Sequence, residues 1–310
     1  MRRLILCLLL LTATTSFAEP TPQSTGYVQT PQIRLFYLIY GHPGKATPVI
    51  AVNGGPGLSH VYMVQNSVWP TLARNREVVL YDQRGTGRST RVAPRAPQTM
   101  DAQVADLEAL RAKLGFAKFD LVGDSFGGLI AMAYAAKYPQ HVAHLVLSDS
   151  APPAWKLMVH LLPDVFPDVE AEDAAAMKKL GNTDAAAQRS LIDHFRMIFY
   201  SPEKRDTYLA NCHNLGYTPS VADAMSKSTA SIDLTSALPH FHFPTLVITG
   251  RYDMNVAPLT AWRIAHMIPG AKFVVFEKSS HLPSYEQPHK YVATLNTFFA
   301  ENRNHTATAP

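Results

Sequence analysis

The stretch "FDLVGDSFGGLIAMAYA", Phe119–Ala135, changes character at its centre, and the fold turns on how that change is read. "FDLV" has the look of a buried strand end, and "LIAMAYAAKYP" that of a helix stopping near Pro139. Ser125 stands between them, with Gly123, Gly127 and Gly128 around it. Small residues two before and two after a serine fit a sharp strand-to-helix turn that lifts the hydroxyl clear of the backbone. Glycine tolerates positive φ there and leaves room for close packing. A plainer reading stands beside this one, a glycine-rich turn whose serine only caps a helix. The choice depends on whether a base, an orienting acid and an oxyanion site occur elsewhere in suitable settings.

Working outward, short apolar runs alternate with helical stretches. Strands are expected at 34–40, 48–53, 77–82, 119–124, 144–149, 245–250 and 272–277. The later ones are apolar throughout rather than alternating, as in parallel strands covered on both faces. Val104, Leu107, Leu110 and Leu114 give one apolar helical face closed by Gly115. This alternation predicts an α/β fold with a mostly parallel sheet flanked by helices. The rhythm breaks over 151–240, where acidic, Ala-rich helical patterns replace strands. That segment is expected to be a helical cap, inserted between core parts 19–150 and 241–303 and lying over the carboxyl ends of the strands, where ligands of open α/β sheets bind.

The chain opens "MRRLILCLLLLTATTSFAEP", two arginines, an apolar run and a small-residue site before Glu19. It predicts a signal peptide over 1–18 and an exported protein, periplasmic or secreted. The run is too short for a permanent membrane span. Beyond it, 26 basic face 24 acidic side chains, scattered rather than striped, which argues against nucleic acid as a partner. Only Cys212 remains after processing, so no internal disulfide forms and an apolar core must hold the chain. The tail 304–310 lacks apolar periodicity and is expected to be disordered.

Three further pieces complete a constellation. "AVNGGPGLSH", Ala51–His60, follows a strand with a turn rich in free backbone N–H groups, suited to holding a negative oxygen. "TGRYDMNVAP" puts Asp253 just past a late strand, where a carboxylate can hold an imidazole in one tautomer. "EKSSHLPSYEQP" puts His281 in the loop after the last strand. Each alone is also an ordinary turn, cap or loop residue. Together they run Ser125, Asp253, His281, the chain order of the α/β-hydrolase arrangement.

The segments "NGGPGLSHVYM", "LYDQRGTGRST", "DLEALRAKLG", "GDSFGG", "GRYD" and "SSHLPSYEQP" resemble the proline iminopeptidase family of α/β-hydrolase fold serine peptidases, over roughly 34–150 and 241–300. The resemblance implies Ser125 as nucleophile, His281 as general base then acid, and Asp253 as its orienting partner. It implies oxyanion donors at the N–H groups of Phe126 and Gly55, with Gly54 as a substitute. Neither metal nor organic cofactor is implied. The substrate would be a short peptide with a free N-terminus, proline favoured, cleaved after its first residue.

Two positions depart from the family pattern. Asn53 replaces a histidine before the turn, and an amide cannot titrate near neutrality. The cap also lacks an Asn-x-Pro-Glu-Phe-like segment, whose glutamate helps bind the substrate ammonium. Glu170, Glu172, Glu203 and Asp206 are the cap carboxylates available instead, and nothing in the sequence selects one. A carboxylic-ester hydrolase with the same three residues and a catalytically silent binding protein are the competing readings.

Overall fold

The computed structural model describes residues 21–91, 96–181, 183–211 and 215–301. The expected signal peptide, Cys212 and the tail 304–310 lie outside the described residues.

Among the described residues nine strands build one sheet: β1 Ser24–Gln29, β2 Ile33–Tyr40, β3 Val49–Val52, β4 Val78–Tyr81, β5 Thr90–Arg91, β6 Phe119–Asp124, β7 Val142–Ser148, β8 Thr245–Gly250 and β9 Lys272–Phe276. The path runs β1-β2-β4-β3-β6-β7-β8-β9, with β5 paired to β2. The pairs from β4 to β9 are parallel, and those made by β2 are antiparallel. All seven expected strands are present. β1 and β5 were not expected, for a physical reason. "STGYVQ" buries only Val28 at the sheet margin, so it has no apolar run to betray it. β5 has two residues. In contrast, β3, β4, β6 and β8 are buried at every position, as a sheet covered on both faces requires.

Eleven α-helices are described: α1 Val68–Leu72, α2 Met100–Leu114, α3 Phe126–Lys137, α4 Leu162–Val165, α5 Pro167–Leu180, α6 Asp184–Met197, α7 Pro202–Asn211, α8 Pro219–Thr229, α9 Pro258–Met267, α10 Pro283–Glu286 and α11 Pro288–Glu301. The side chains of α2, α3 and α9 fill one face of the sheet. Those of α1 and α11 fill the other. α2 starts where the Thr99 hydroxyl accepts the Ala102 N–H and stops at Gly115, whose φ of 71° few other residues tolerate. None of the described helices is long and apolar enough to cross a membrane.

Helices α4–α8 occupy the interval between β7 and β8. Their inner residues Phe195, Ile198, Tyr208 and Leu215 pack with Leu58, Tyr62 and Met63 from the loop after β3. The Phe195 and Tyr208 rings stack at 5.5 Å, and Tyr285 of α10 meets Tyr208 edge-on at 4.9 Å. Glu286 of α10 adds a polar staple. One of its oxygens accepts the N–H groups of Tyr200 and Ser201, and the other accepts that of Ser280.

The loop after β4, Asp82-Gln83-Arg84-Gly85, is a buried polar brace. Arg84 makes a two-pronged pair with Asp106 at 2.8 and 2.9 Å. Gln83 donates to the carbonyl of Asn53 at 2.5 Å, tying this brace to the glycine turn after β3. Removing one partner of a buried pair strands the other charge. Asp106→Ala is therefore expected to cost about 3–5 kcal/mol in urea unfolding; a loss below about 1 kcal/mol would show that water reaches the guanidinium.

Candidate active site

Ser125 sits at the corner between β6 and α3 with φ 52° and ψ −120°, a backbone state that non-glycine residues rarely adopt. The neighbouring glycines explain why the corner can close. A methyl group at Gly127 would strike the carbonyl oxygens of Val52 and Asn53, and one at Gly128 would strike the Ser150 side chain. The absence of both side chains lets α3 press against the end of β3. A serine that only caps a helix would accept a first-turn N–H, and the Ser125 side chain makes no such bond.

The other two expected residues meet it. His281 Nε2 lies 3.0 Å from Ser125 Oγ, and His281 Nδ1 lies 2.7 Å from Asp253 Oδ2. A carboxylate can only accept, so Nδ1 carries the proton and Nε2 faces the serine as acceptor. Asp253 is fixed by its own loop, its Oδ1 accepting the N–H groups of Asn255 and Val256, each at 2.9 Å. The side-chain nitrogen of Asn255 stands 3.1 Å from His281 Nε2, beside the serine hydroxyl. Burial pushes the His281 pKa down, but the charge and hydrogen bond of Asp253, with Asp124 adding, leave it raised above the usual 6.5. Such a row can move a proton from an alcohol to an imidazole while a carboxylate steadies the ring.

The turn after β3 supplies donors. The Gly54 N–H is already spent, donated to the Tyr62 hydroxyl at 2.5 Å. The N–H groups of Gly55 and Phe126 find no acceptor among the described residues, and Phe126 stands at the start of α3. The expected donors are thus open and the substitute is not. Asn53 shapes the same turn, its side-chain nitrogen donating to the carbonyls of Gly54 and Leu58 at 3.0 and 2.9 Å. That task is structural and needs no titration.

A cavity of about 450 Å³ opens over Ser125 and His281, roofed by Met177, Leu191, His194, Phe195 and Ala222 from the helices between β7 and β8. The four cap carboxylates considered as partners for an ammonium stand elsewhere. None of them lines the cavity. Glu172 pairs with Arg196 at 3.1 Å, and Asp206 pairs with Arg205 at 2.8 Å. Glu203 is exposed and Glu170 half-buried on its helix. Cap helices turn these charges outward because solvation or an arginine stabilises them better than an apolar roof does.

Among the described residues, the one carboxylate on the wall is Asp124, the residue before Ser125. Its Oδ2 accepts the Tyr62 hydroxyl at 2.5 Å. Burial raises its pKa to about 6, although the charge of His281 and the Tyr62 hydroxyl pull it down. No Lys or Arg lines the cavity among the described residues. His194 on the roof is held neutral, burial driving its pKa to about 4 with the charge of His281 adding. Sequence reading passed over Asp124, His194, Asn255 and Tyr62. Asp124 closes the strand in "FDLVGDS", but burial of an acid there did not by itself mark a site, since Asp120 of the same strand is a structural acid held by Arg76 at 2.9 Å and His144 at 2.6 Å.

Residues 47–288 match the model of the alpha/beta hydrolase fold family. A proline iminopeptidase of Saccharolobus solfataricus is 30% identical over 295 residues, spanning 88% of this chain and 91% of that protein. Among solved structures, the proline iminopeptidase of Mycobacterium smegmatis aligns with a TM-score of 0.68 at 22% identity, covering 91% of this chain and 100% of that one. The esterase RhEst1 from Rhodococcus sp. ECU1013 aligns with a TM-score of 0.74 at 21% identity, covering 88% of this chain and 97% of that one. At these identities the two structures speak for the fold alone. The chain belongs to the α/β-hydrolase fold family and is a hydrolase. Within that family its resemblance to proline iminopeptidases extends along most of its length.

A base must be neutral to take a proton, so a raised histidine needs a higher pH to work. For the favoured substrate, kcat/KM is expected to climb with pH through an apparent pKa above the 6.5 of an unperturbed histidine. A limb centred at or below that value would contradict the electrostatics of the row.

Proposed function

We propose that this hydrolase is an exported serine aminopeptidase of proline iminopeptidase type, which releases an N-terminal residue, proline favoured, from short peptides. The observation that carries the reading is the hydrogen-bonded row Ser125–His281–Asp253, opening into a cavity whose one carboxylate among the described residues is Asp124.

In this mechanism Ser125 Oγ attacks the carbonyl carbon of the first residue while His281 Nε2 takes the hydroxyl proton. The developing oxyanion is met by the N–H groups of Gly55 and Phe126. His281 returns the proton to the departing amine, the C–N bond breaks, and an acyl-enzyme remains. Water attacks the ester with His281 again as base, which frees the amino acid and restores the serine. The α-ammonium of the substrate pairs with Asp124, the neighbour of the nucleophile. Neutral His194 and the apolar residues Leu58, Phe195 and Ile198 surround the first side chain. Export rests on the basic and apolar amino-terminal stretch, and sequencing the amino terminus of the mature protein would test it, with Glu19 expected first.

Three substrates separate this reading from an ester hydrolase: a prolyl anilide, its N-acetylated form and a short-chain acyl ester. The free amine should be required, with the blocked anilide at least about 100-fold slower. Equal rates on free and blocked forms, with the ester fastest, would replace the peptidase by an esterase. Ser125→Ala should abolish turnover and leave the melting temperature in place, since that hydroxyl supports no packing.

Asp124→Asn should raise KM for the free-amine substrate about 10- to 100-fold and affect the neutral ester much less. Pairing requires the ionised acid, so in the native enzyme KM should worsen as pH falls below about 6. A KM that stays flat through that range removes Asp124 from the role.

A further inference from the structure

Strand β7 delivers a second acid to the row that the mechanism above does not use. Asp149 follows the last residue of β7, and it is fully buried. Among the described residues, only Asp149 and Ser125 are non-glycine residues with positive φ, at 44° and 52°. Such a state persists only where the surroundings enforce it. Here they do: the Asp149 N–H donates to the Ile248 carbonyl at 2.9 Å, and its Oδ1 accepts the Gly250 N–H at 2.8 Å. The carboxyl is thereby aimed at the end of β8. One of its oxygens, an Asp253 oxygen and a His281 ring nitrogen all lie within 4.8 Å of one another.

A strained corner alone would be served by asparagine or glycine at less cost. Placing a second carboxyl against a buried carboxylate is costly if both are charged. The cost disappears if one holds a proton, and burial, with the negative charges of Asp253 and Asp124, drives the Asp149 pKa well up. Of the two, Asp253 is the one placed to accept, since it already takes two backbone N–H groups and the His281 ring. The remaining groups around this pair are Ser148, whose hydroxyl lies 3.2 Å from Asp149 Oδ2, and the Tyr291 phenol, itself pushed high by burial.

We propose that Asp149 is a fourth member of the row, a positioning residue whose carboxylic acid donates a hydrogen bond to Asp253 and so fixes the carboxylate that orients His281. Asp253 is then held by Asp149 in addition to its two backbone donors and the His281 ring. No reacting atom touches Asp149. The proposal rests on the triad reading above and adds the proton-bearing acid beneath it.

Two measurements on the full-length enzyme test it. In the first, Asp149→Asn retains a donor and Asp149→Leu retains the volume without one, so kcat for the prolyl anilide should be at least tenfold higher in the Asn variant, at similar KM. A purely structural role would raise the melting temperature of the Asn variant over the Leu variant, since asparagine tolerates the positive φ and keeps an acceptor for the Gly250 N–H, but would leave kcat per folded molecule equal in the two, and that equality overturns the proposal. In the second, the infrared difference spectrum of native protein minus Asp149→Asn at neutral pH should contain the carbonyl stretch of a protonated carboxylic acid. A carboxylate pair of bands in its place overturns the proposal even if the leucine variant does not fold. Full activity in Ser125→Ala would instead sink the triad reading itself, so the two failures are told apart.

Discussion

Everything in this site depends on one close approach of backbones, the contact between the start of α3 and the end of β3. Gly127 permits it by having no side chain to strike the carbonyls of Val52 and Asn53. The consequence is catalytic geometry. The two open N–H groups, Gly55 on one segment and Phe126 on the other, can serve one oxygen only if those segments touch. The positive end of the α3 dipole adds to the attraction at Phe126. Gly54 belongs to the same contact, since a methyl there would meet Ser125 Cβ and the Tyr62 hydroxyl, each at 2.8 Å. The rare backbone state of Ser125 then accompanies the close packing of the glycines around it.

The second organising constraint is charge. Asp124, Asp149 and Asp253 are all buried near a single imidazole, at the ends of β6, β7 and β8. Three ionised carboxylates would be ruinous there. The structure divides them by what each is bonded to. Asp253 receives backbone N–H groups and the His281 ring, so its charge is stabilised. Asp124 receives a phenol and faces the cavity, and its pKa lies close enough to neutrality for a cation to tip it. Asp149 receives one N–H and faces another acid. Three identical side chains thus stand in three different electrostatic settings set by their neighbours.

What the sequence revealed follows the same logic. Ser125, Asp253 and His281 were legible because each is held at a strand end, and strand ends are marked by apolar runs that stop. The parallel core was legible because strands buried on both faces are apolar throughout. β1 was not, because an edge strand with one buried residue looks like a loop. The cap carboxylates misled because helical phase and ion pairing decide which way Glu172 and Asp206 face, and neither is visible without neighbours. Asp124 and Asp149 close the expected strands 119–124 and 144–149, and their chemistry stays hidden in the sequence because it comes from distant residues, Tyr62 and Asp253.

The proposed anchoring of the substrate amine by Asp124, in the core and not in the cap, has a mechanical consequence. A glutamate on a cap helix sits at a distance from the nucleophile that depends on how the cap closes. Asp124 is the residue before the nucleophile, on a strand paired to neighbours on both sides, so the backbone sets its distance to Ser125. The cap is left to wall the cavity, through Phe195 and Ile198, and to meet the histidine loop, through Glu286 and the Tyr208–Tyr285 contact. On this arrangement, changes in the roof would alter which first residue fits without disturbing the register of amine, carbonyl and hydroxyl. If Asp124 holds the substrate ammonium as proposed, specificity for the charged terminus and specificity for the side chain reside in different parts of the chain, one in the sheet and one in the helices above it.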